Sequence, residues 1–533
     1  MTPQDLQKLI ADQIASHHDI EVPDFEVAYA EPQFGDYSAN VAFKLAKALR
    51  KAPVAIAEEL AEQLTGAQIA SVEAVAGYLN ITMKPSYWVT QLAAIGEHYG
   101  YTKVAKPQKV QVEFISANPT GPTTFGNARG GFIGDVIARV LLSQGHAVTR
   151  EYYFNDGGTQ ISKLVESVKV AAGLVTAEEV QYRGEYVDEL AREFGEQLRT
   201  ASVEEAATLL TQTILKRHIE PAVRDMNITF DEWFNERSLG ESGEVEVMLG
   251  RLKTEDLIYE QDGAVWLAST KLGDERDRVL RKSSGDLTYL ANDIAYHLNI
   301  FEKRGFDWAI KQWGADHAGQ VPSLRLIMQK LAPGKRLDFN IHQWVRLVKD
   351  GQEMKMSKRA GTYVTVEEVI GEVGSDVTRF FFLLRSADSQ MDFDLDLARE
   401  QSQKNPLFYV MYSYARANSI IRKAGERKLA SVKTNYTDPT ETETQLIKKL
   451  MQWPELLVQV AGDYQVQKLA HYGLEVATLF QKLYEEVNIL ALPEAEAAAK
   501  LYLIEQFKVF MDGYFAVLGI TPQQTMTRDT ETE

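Results

Sequence analysis

Two short stretches of this 533-residue chain carry groups suited to handling phosphate. In Phe114-Ile115-Ser116-Ala117-Asn118-Pro119-Thr120-Gly121-Pro122-Thr123-Thr124-Phe125-Gly126-Asn127-Ala128-Arg129-Gly130 a strand end, a glycine-rich turn and a helix start meet. Glycines let backbone approach a ligand, and a helix N-terminus points N–H groups at an anion. Taken alone, such a turn is equally a tight connection with no ligand. The second stretch, Met354-Lys355-Met356-Ser357-Lys358-Arg359-Ala360-Gly361, sets two lysines around Met-Ser in a loop. Lysines there suit a leaving pyrophosphate, although a Lys-x-Ser-Lys string by itself is common on solvated surfaces. Both stretches in this order are far more specific than either one.

The elements that must position them are legible from periodicity. Val110, Val112 and Phe114 alternate with Lys109, Gln111 and Glu113 as in a strand, and Ile133, Val136, Ile137, Val140 and Leu141 recur at helical spacing. A second strand follows at Ala147 to Phe154, which makes a parallel βαβ unit whose first turn faces an anion. Further on, the spacing places Tyr289 and Asp293 on one helix face, where unaided they read as a core aromatic and a surface acid. A strand from Trp308 to Trp313 leads into Gly314-Ala315-Asp316-His317-Ala318-Gly319 and a helix with Val321, Leu324, Met328 and Leu331. A histidine between a strand end and a helix start in a parallel sheet is well placed to touch a ligand. One apolar strand (Phe339, Ile341, Val345, Leu347) and an Asp350-Gly351 turn precede the lysine loop, and Thr365-Val366-Glu367-Glu368 is a capping box opening the next helix.

Composition narrows the class. With 45% hydrophobic and 25% charged residues the chain reads as globular, and its length allows several domains. The lack of cysteine excludes disulfides and thiolate metal sites, and no metal ligand set is expected. Neither a leader-like start nor a run long enough to span a membrane is present, so the expected compartment is the cytoplasm, with no membrane partner. A net charge of -18 argues against indiscriminate polyanion binding, so any nucleic acid must use local basic faces.

The flanks differ in character from this centre. Up to about residue 105 the pattern is a small α/β domain, with helices at 3–16, 38–50 and 53–64 and strands near 22–30 and 74–83. Ser38 is the expected N-cap after Phe34-Gly35-Asp36-Tyr37. Lys44, Lys47, Arg50 and Lys51 lend the following helix a basic face. Residues 160–275 read as a helical, acidic insertion between two halves of the sheet, with Ile228-Thr229-Phe230-Asp231-Glu232-Trp233-Phe234 inside it. From Asn405 the chain is helical, and Phe408, Tyr409, Tyr412 and Tyr414 mix with Arg416, Arg422, Lys423, Arg427 and Lys428. Aromatics beside cations suit unpaired bases, and each ring taken singly is as readily bundle core.

Together the two stretches resemble the signatures of class I aminoacyl-tRNA synthetases, and their flanks resemble the arginyl-tRNA synthetases over nearly the whole chain. That family usually reads A-N-P-T-G-P-L-H-V-G-H at the first signature, so Thr124 and Asn127 stand where its histidines normally are. Tryptophanyl-tRNA synthetases, of the same class, can carry a similar Thr-Ile-Gly-Asn form. The resemblance implies an α/β fold: a small α/β N-terminal domain (1–105) that contacts tRNA, a Rossmann-type parallel-sheet catalytic domain (106–400) with its insertion, and an all-α anticodon-binding domain (401–533). It implies an arginine–tRNA ligase using ATP with Mg²⁺, acting on L-arginine and tRNA(Arg), and working as a monomer. Thr124, Asn127, Lys355, Ser357 and Lys358 would be catalytic, with Gly121, Pro122 and Gly126 completing the ATP site. Glu113, Tyr289 and Asp293 match guanidinium-binding positions, and Ser116, Asn118, Asp316 and His317 hold the rest of the amino acid. Phe34, Tyr37, Asn40, Tyr412 and Arg416 would meet tRNA. The contrary reading is a degenerate paralogue that binds RNA without catalysis.

Overall fold

The computed structural model describes residues 3–18, 20–354 and 363–526. Its contacts divide the chain into two units: one takes the chain up to Gly96 with Ile420–Met451 and Leu479–Phe507, the other takes Glu97–Ser419, Gln452–Thr478 and the chain from Lys508 on.

The first unit opens with α1 (Pro3–His17), β1 (Val27–Tyr29), β2 (Tyr37–Ala39), α2 (Val41–Leu49), α3 (Pro53–Gln63), β3 (Ile69–Val75), β4 (Tyr78–Met83) and α4 (Pro85–Gln91). Its strands form an antiparallel sheet in the order β1-β2-β4-β3. The helix expected from Ser38 begins only at Val41, because Tyr37–Ala39 pair with neighbours on both sides. The Ser38 hydroxyl donates to Asn80 Oδ1 (2.9 Å) and caps nothing. The strand expected over 74–83 is a hairpin, turning at Ala76 and Gly77 with φ of 50° and 89°. Two consecutive positive φ values match the twist of the flanking strands.

The second unit is built on a parallel sheet. In chain order it contains β5 (Lys109–Glu113), α5 (Phe125–Ser143), β6 (Ala147–Phe154), α6 (Gly158–Ala171), α7 (Glu185–Thr200), α8 (Val203–Ile214), α9 (Glu220–Asp225), β7 (Glu232–Asn235), α10 (Arg237–Glu241) and α11 (Glu244–Thr254). Next come β8 (Ile258–Gln261), β9 (Ala264–Leu267), β10 (Arg278–Arg281), α12 (Tyr289–Leu298), β11 (Trp308–Gly314), α13 (Val321–Leu331) and β12 (Arg336–His342). The five strands lie in the order β12-β11-β5-β6-β7, every pair parallel. The chain winds outward from β5 through β6 to β7, then returns to β11 and β12 on the other side. The carboxyl ends of β5 and β11 therefore flank a topological switch point, where ligands bind in such sheets.

Helix α5 lies hard against this sheet: a Cβ on Gly134 would come within 2.4 Å of the Phe114 side chain, so only glycine fits there. Phe114, Phe132, Ile133 and Val136 are fully buried, each contributing about 1.5–3 kcal/mol of transfer free energy.

Two expectations are corrected in this region. Residues 160–275 are not wholly an insertion, since Glu232–Asn235 pairs with Glu151–Phe154 as the edge strand of the main sheet. Phe234 is buried and stacks on Tyr153, which holds the strand there. The single apolar strand expected through 339–347 is two. Its first half is β12, and its second half, β13 (Val345–Lys349), joins a separate sheet with β14 (Gln352–Glu353) and β15 (Met391–Asp394). Buried Arg129 of α5 fixes the break by donating to the carbonyls of Gln343 (2.8 Å) and Trp344 (3.4 Å).

The rest is helical: α14 (Val366–Val373), α15 (Ser375–Leu383), α16 (Leu395–Arg399), α17 (Pro406–Glu426), α18 (Glu441–Met451), α19 (Trp453–Asp463), α20 (Gln467–Glu486) and α21 (Glu494–Leu518).

Candidate active site at the sheet switch point

At the N-terminus of α5, Thr124 is the cap residue and Asn127 answers it. The Asn127 side-chain oxygen accepts from the Thr124 backbone N–H (3.2 Å) and from the Thr124 hydroxyl (2.6 Å). The backbone contact fixes which amide atom faces inward, so the Asn127 NH₂ points away as a donor. It takes no partner among the described residues, and the Thr124 proton is already spent. Gly121 is pressed against Tyr186, whose hydroxyl donates to the Thr120 carbonyl (2.9 Å); a Cβ on Gly121 would come within 3.0 Å of that ring. Gly126 is exposed and leaves open space at the helix start.

The segment that follows the lysine loop is tied to this turn. Phe125 N–H donates to the Val364 carbonyl and Val366 N–H to the Thr123 carbonyl, both at 3.0 Å, with Thr124 and Thr365 bridged between them. Thr365 and Glu368 cap α14 reciprocally, as their spacing implies. Lys355, Ser357 and Lys358 lie outside the described residues.

On the other side of the switch point lies a pocket rich in acids. Glu113, at the end of β5, is buried and accepts from Lys311 Nζ of β11 (2.7 Å) and from the Tyr296 hydroxyl (3.2 Å). Lys311 is fully buried, and burial holds its pKa below the usual lysine value against the pull of Glu113 and Glu151. Beneath them Glu151 pairs with Arg304. Asp293 of α12 is half-buried, its backbone carbonyl bonded to His297 Nδ1 (2.6 Å), and its carboxylate takes no hydrogen bond from any described residue. Burial first, then the neighbouring Glu113 and Glu236, push its pKa up to about 8, with Lys311 pulling the other way. Burial also raises Glu236, although Tyr153 and Asn292 donate to it. Four acids, Glu113, Glu151, Glu236 and Asp293, share two cations, Lys311 and Arg304, so an ionised Asp293 is left without a positive partner of its own. A planar cation with several donors supplies what is missing.

The backbone beside this pocket is strained. Ile115 and Ser116 sit in succession at φ of 65° and 45°, an uncommon conformation for non-glycine residues and a costly one for a β-branched side chain. Surrounding groups hold it in place. The Tyr152 hydroxyl accepts from Ala117 N–H (3.2 Å) and donates to the Ala117 carbonyl (2.8 Å), and Ser116 Oγ accepts from Tyr153 N–H (3.2 Å). Asn118 Oδ1 accepts from Asn155 N–H and its amide donates to Gln160, both at 3.0 Å.

The remaining expected residues are placed as follows. Tyr289 opens α12 with its ring 60% exposed, and its phenol is close enough to Tyr182 to raise that group's pKa, after burial. Asp316 and His317 follow β11, more than half exposed and 3.6 Å apart, with the imidazole beside Trp313. Tyr37, expected to meet tRNA, is 1% exposed and packed between Tyr29 and Trp88, and Tyr412 is 4% exposed. Neither ring offers a face to a nucleotide: Tyr37, expected there through the resemblance, and Tyr412, expected there as an aromatic beside cations, both lie in core. Phe34 is exposed, Asn40 accepts from Glu26 N–H (2.9 Å), and half-buried Arg416 lies over the Tyr412 ring at 4.7 Å.

Periodicity and composition did not reveal Glu236, Asn155, Asn292 or Lys311 as site residues. Lys311 inside an apolar strand was a usable signal, because a lysine buried in a sheet requires an acid beside it. Glu236 would have followed from reading Trp233-Phe234 as a sheet strand, since the residue after a strand's carboxyl end is where sites form.

Comparison with known proteins agrees with this geometry. Three family profiles match in order: "Arginyl tRNA synthetase N terminal domain" over 4–83, "tRNA synthetases class I (R), catalytic domain" over 89–381, and "DALR anticodon binding domain" over 410–526. The arginine–tRNA ligase of Citrifermentans bemidjiense is 38% identical over 531 residues, covering 95% of this chain and 96% of that protein. That of Caldanaerobacter subterraneus is 39% identical over 519 residues, covering 93% and 92%. Among solved structures, the Thermus thermophilus arginyl-tRNA synthetase shares the fold with a TM-score of 0.78 at 22% identity, over 99% of this chain and 100% of that one.

Proposed function

The chain belongs to the class I arginyl-tRNA synthetases and is an arginine–tRNA ligase, and on that premise we propose which of its residues do the work. The observation that carries the reading is Asp293, an acid at the sheet end whose carboxylate has no hydrogen-bond partner among the described residues and whose pKa is raised to about 8. Arginine enters with its guanidinium toward Asp293, Tyr289 and the wall formed by Glu113. Ser116 and Asn118 hold its α-amino end from the strained turn, with Asp316 and His317 from the end of β11.

ATP lies along the start of α5. Gly121, Pro122 and Gly126 let its phosphates approach the backbone, and the NH₂ of Asn127, unpartnered among the described residues, is a neutral side-chain donor to them. This is the sense in which the Thr124-Phe125-Gly126-Asn127 form of the signature works: Thr124 orients, and Asn127 donates. Lys355, Ser357 and Lys358 complete the phosphate contacts. A carboxylate oxygen of arginine bonds to the α-phosphorus as the bond to pyrophosphate breaks, and a ribose hydroxyl of tRNA(Arg) then takes the arginyl group with AMP leaving. Alignment and electrostatics suffice for such a displacement. Among the described residues no three acids or histidines converge as a metal site, which favours Mg²⁺ held chiefly by the phosphates. Phe34, Asn40 and Arg416 are the proposed tRNA contacts. No described helix is long and apolar enough to cross a membrane, and we place the enzyme in the cytoplasm as a monomer.

Arginine-dependent ATP–pyrophosphate exchange, run with tRNA present, tests the reading. Asp293→Ala should abolish measurable exchange at arginine concentrations that saturate the unaltered protein. Unchanged exchange in that variant, or equal exchange with lysine, would remove Asp293 from the guanidinium site.

A further inference from the structure

We propose that Glu236 is a positioning residue that fastens together the two halves of the arginine pocket, a role that rests on the pocket assignment above. Glu236 is 9% exposed just past the end of β7, and its carboxylate is shared by three donors, two from the end of β6 and one from α12. The Tyr153 hydroxyl, from β6, bonds one oxygen. Asn155 Nδ2 (2.6 Å), just past β6, and Asn292 Nδ2 (2.5 Å), in α12, converge on the other.

Between them the donors lead to both halves of the site. Asn155 N–H holds Asn118 Oδ1 at 3.0 Å, and Tyr153 N–H holds Ser116 Oγ at 3.2 Å, so two of the bonds reach the amino-acid backbone half. Asn292 is the residue before Asp293, so the third bond sets the rotation of α12 that aims Asp293 at the guanidinium. The strained Ile115-Ser116 turn needs outside support, and this network is part of what supports it. With three donors already on its two oxygens, Glu236 is assigned to holding the site together and not to direct contact with the substrate. It sits where one carboxylate can set the spacing between the groups that read the two ends of arginine. A misplacement on the order of 1 Å in such groups costs about a hundredfold.

Because the Tyr153 hydroxyl can accept from an amide, Glu236→Gln can keep all three contacts, whereas Glu236→Met fills about the same volume and keeps none. In ATP–pyrophosphate exchange with tRNA, Glu236→Met should raise the KM for arginine by about 10–100-fold and leave the KM for ATP within about twofold. The melting temperature should stay within a few degrees of the unaltered protein. Asn292→Ala should raise the KM for arginine as well, and the double variant should be no worse than the poorer single one, because both cut the same link. Full additivity of the two, or a parallel rise of the arginine and ATP KM values with a large fall in melting temperature, would show ordinary structural damage and overturn the proposal. So would an unchanged arginine KM. If the unaltered protein itself shows no arginine-dependent exchange, the pocket assignment fails independently of Glu236.

Discussion

Arginine binding should expel a proton, and its pH dependence can be worked from the pocket. In the empty site the Asp293 pKa is pushed up to about 8 by burial and by Glu113 and Glu236, against Lys311. At neutral pH the acid is therefore mostly protonated, and a guanidinium can pair only with its ionised form. Binding and proton loss are thus linked, and lowering the pH opposes binding. With a free-site pKa near 8, the ionised share is about nine-tenths at pH 9, one half at pH 8 and one-eleventh at pH 7. The apparent dissociation constant should rise about tenfold from pH 9 to pH 7, which is about 1.4 kcal/mol. Other groups face the pocket: Glu236 titrates in the same direction, and Tyr153 stays neutral because burial and Glu236 raise its pKa well above the usual value. Titration calorimetry in two buffers of different ionisation enthalpy reads both the affinity and the protons released. Near pH 7 close to one proton should leave per arginine bound, and Asp293→Asn should bind weakly with no release from this site. A flat affinity across that range, or unchanged proton release in Asp293→Asn, would refute the linkage.

Other consequences concern separate parts of the molecule. Asn127→Ala should slow adenylate formation by about 10²–10³-fold with little change in arginine affinity, as expected for one lost transition-state donor, and Asn127→His should keep far more activity. Thr124→Val should fall between, because it removes the hydroxyl's bond to Asn127 and leaves the backbone N–H bond and the amide donor; single-turnover adenylation measures all three. Lys311→Met strands buried Glu113 without its ammonium and should cost about 3–5 kcal/mol of stability in denaturant unfolding, with Glu113→Gln recovering much of it. Tyr412→Ala should destabilise the fold by about 3–5 kcal/mol as a core truncation, while Tyr412→Phe should leave the KM for tRNA unchanged.

Strong local patterns carried much of the fold. The alternation at 109–114, the helical spacing from Ile133 and the glycine turn between them specify β5, α5 and their junction with no help from distant parts of the chain. Legibility failed where long-range pairing decides. Tyr37–Ala39 pairs with nearby β1 on one side and with β4, far along the chain, on the other, and this overrides Ser38's preference for a helix cap. Apolar residues alternate with polar ones through 339–347 as in one strand, and the break in it is held from outside, by Arg129, more than two hundred residues earlier, on the carbonyls of Gln343 and Trp344. At the site, Glu113 and Asp293 were nameable through the resemblance, but what makes Asp293 reactive is the set of carboxylates gathered from β5, β7 and α12. That convergence exists only once the sheet is wound. Tyr412 shows the opposite error: aromatic and basic residues in one helix look alike whether they face a base or a core.

The most direct measurement is the arginylation of tRNA(Arg) by the purified unaltered protein with Mg-ATP, comparing arginine with lysine and citrulline. Citrulline keeps the shape of arginine and loses the charge, so it isolates the pairing with Asp293. The account predicts arginyl-tRNA formation, at least a hundredfold preference over both analogues, and loss of that product in Asp293→Ala. No arginyl-tRNA from the unaltered protein, or comparable charging with citrulline, would contradict it.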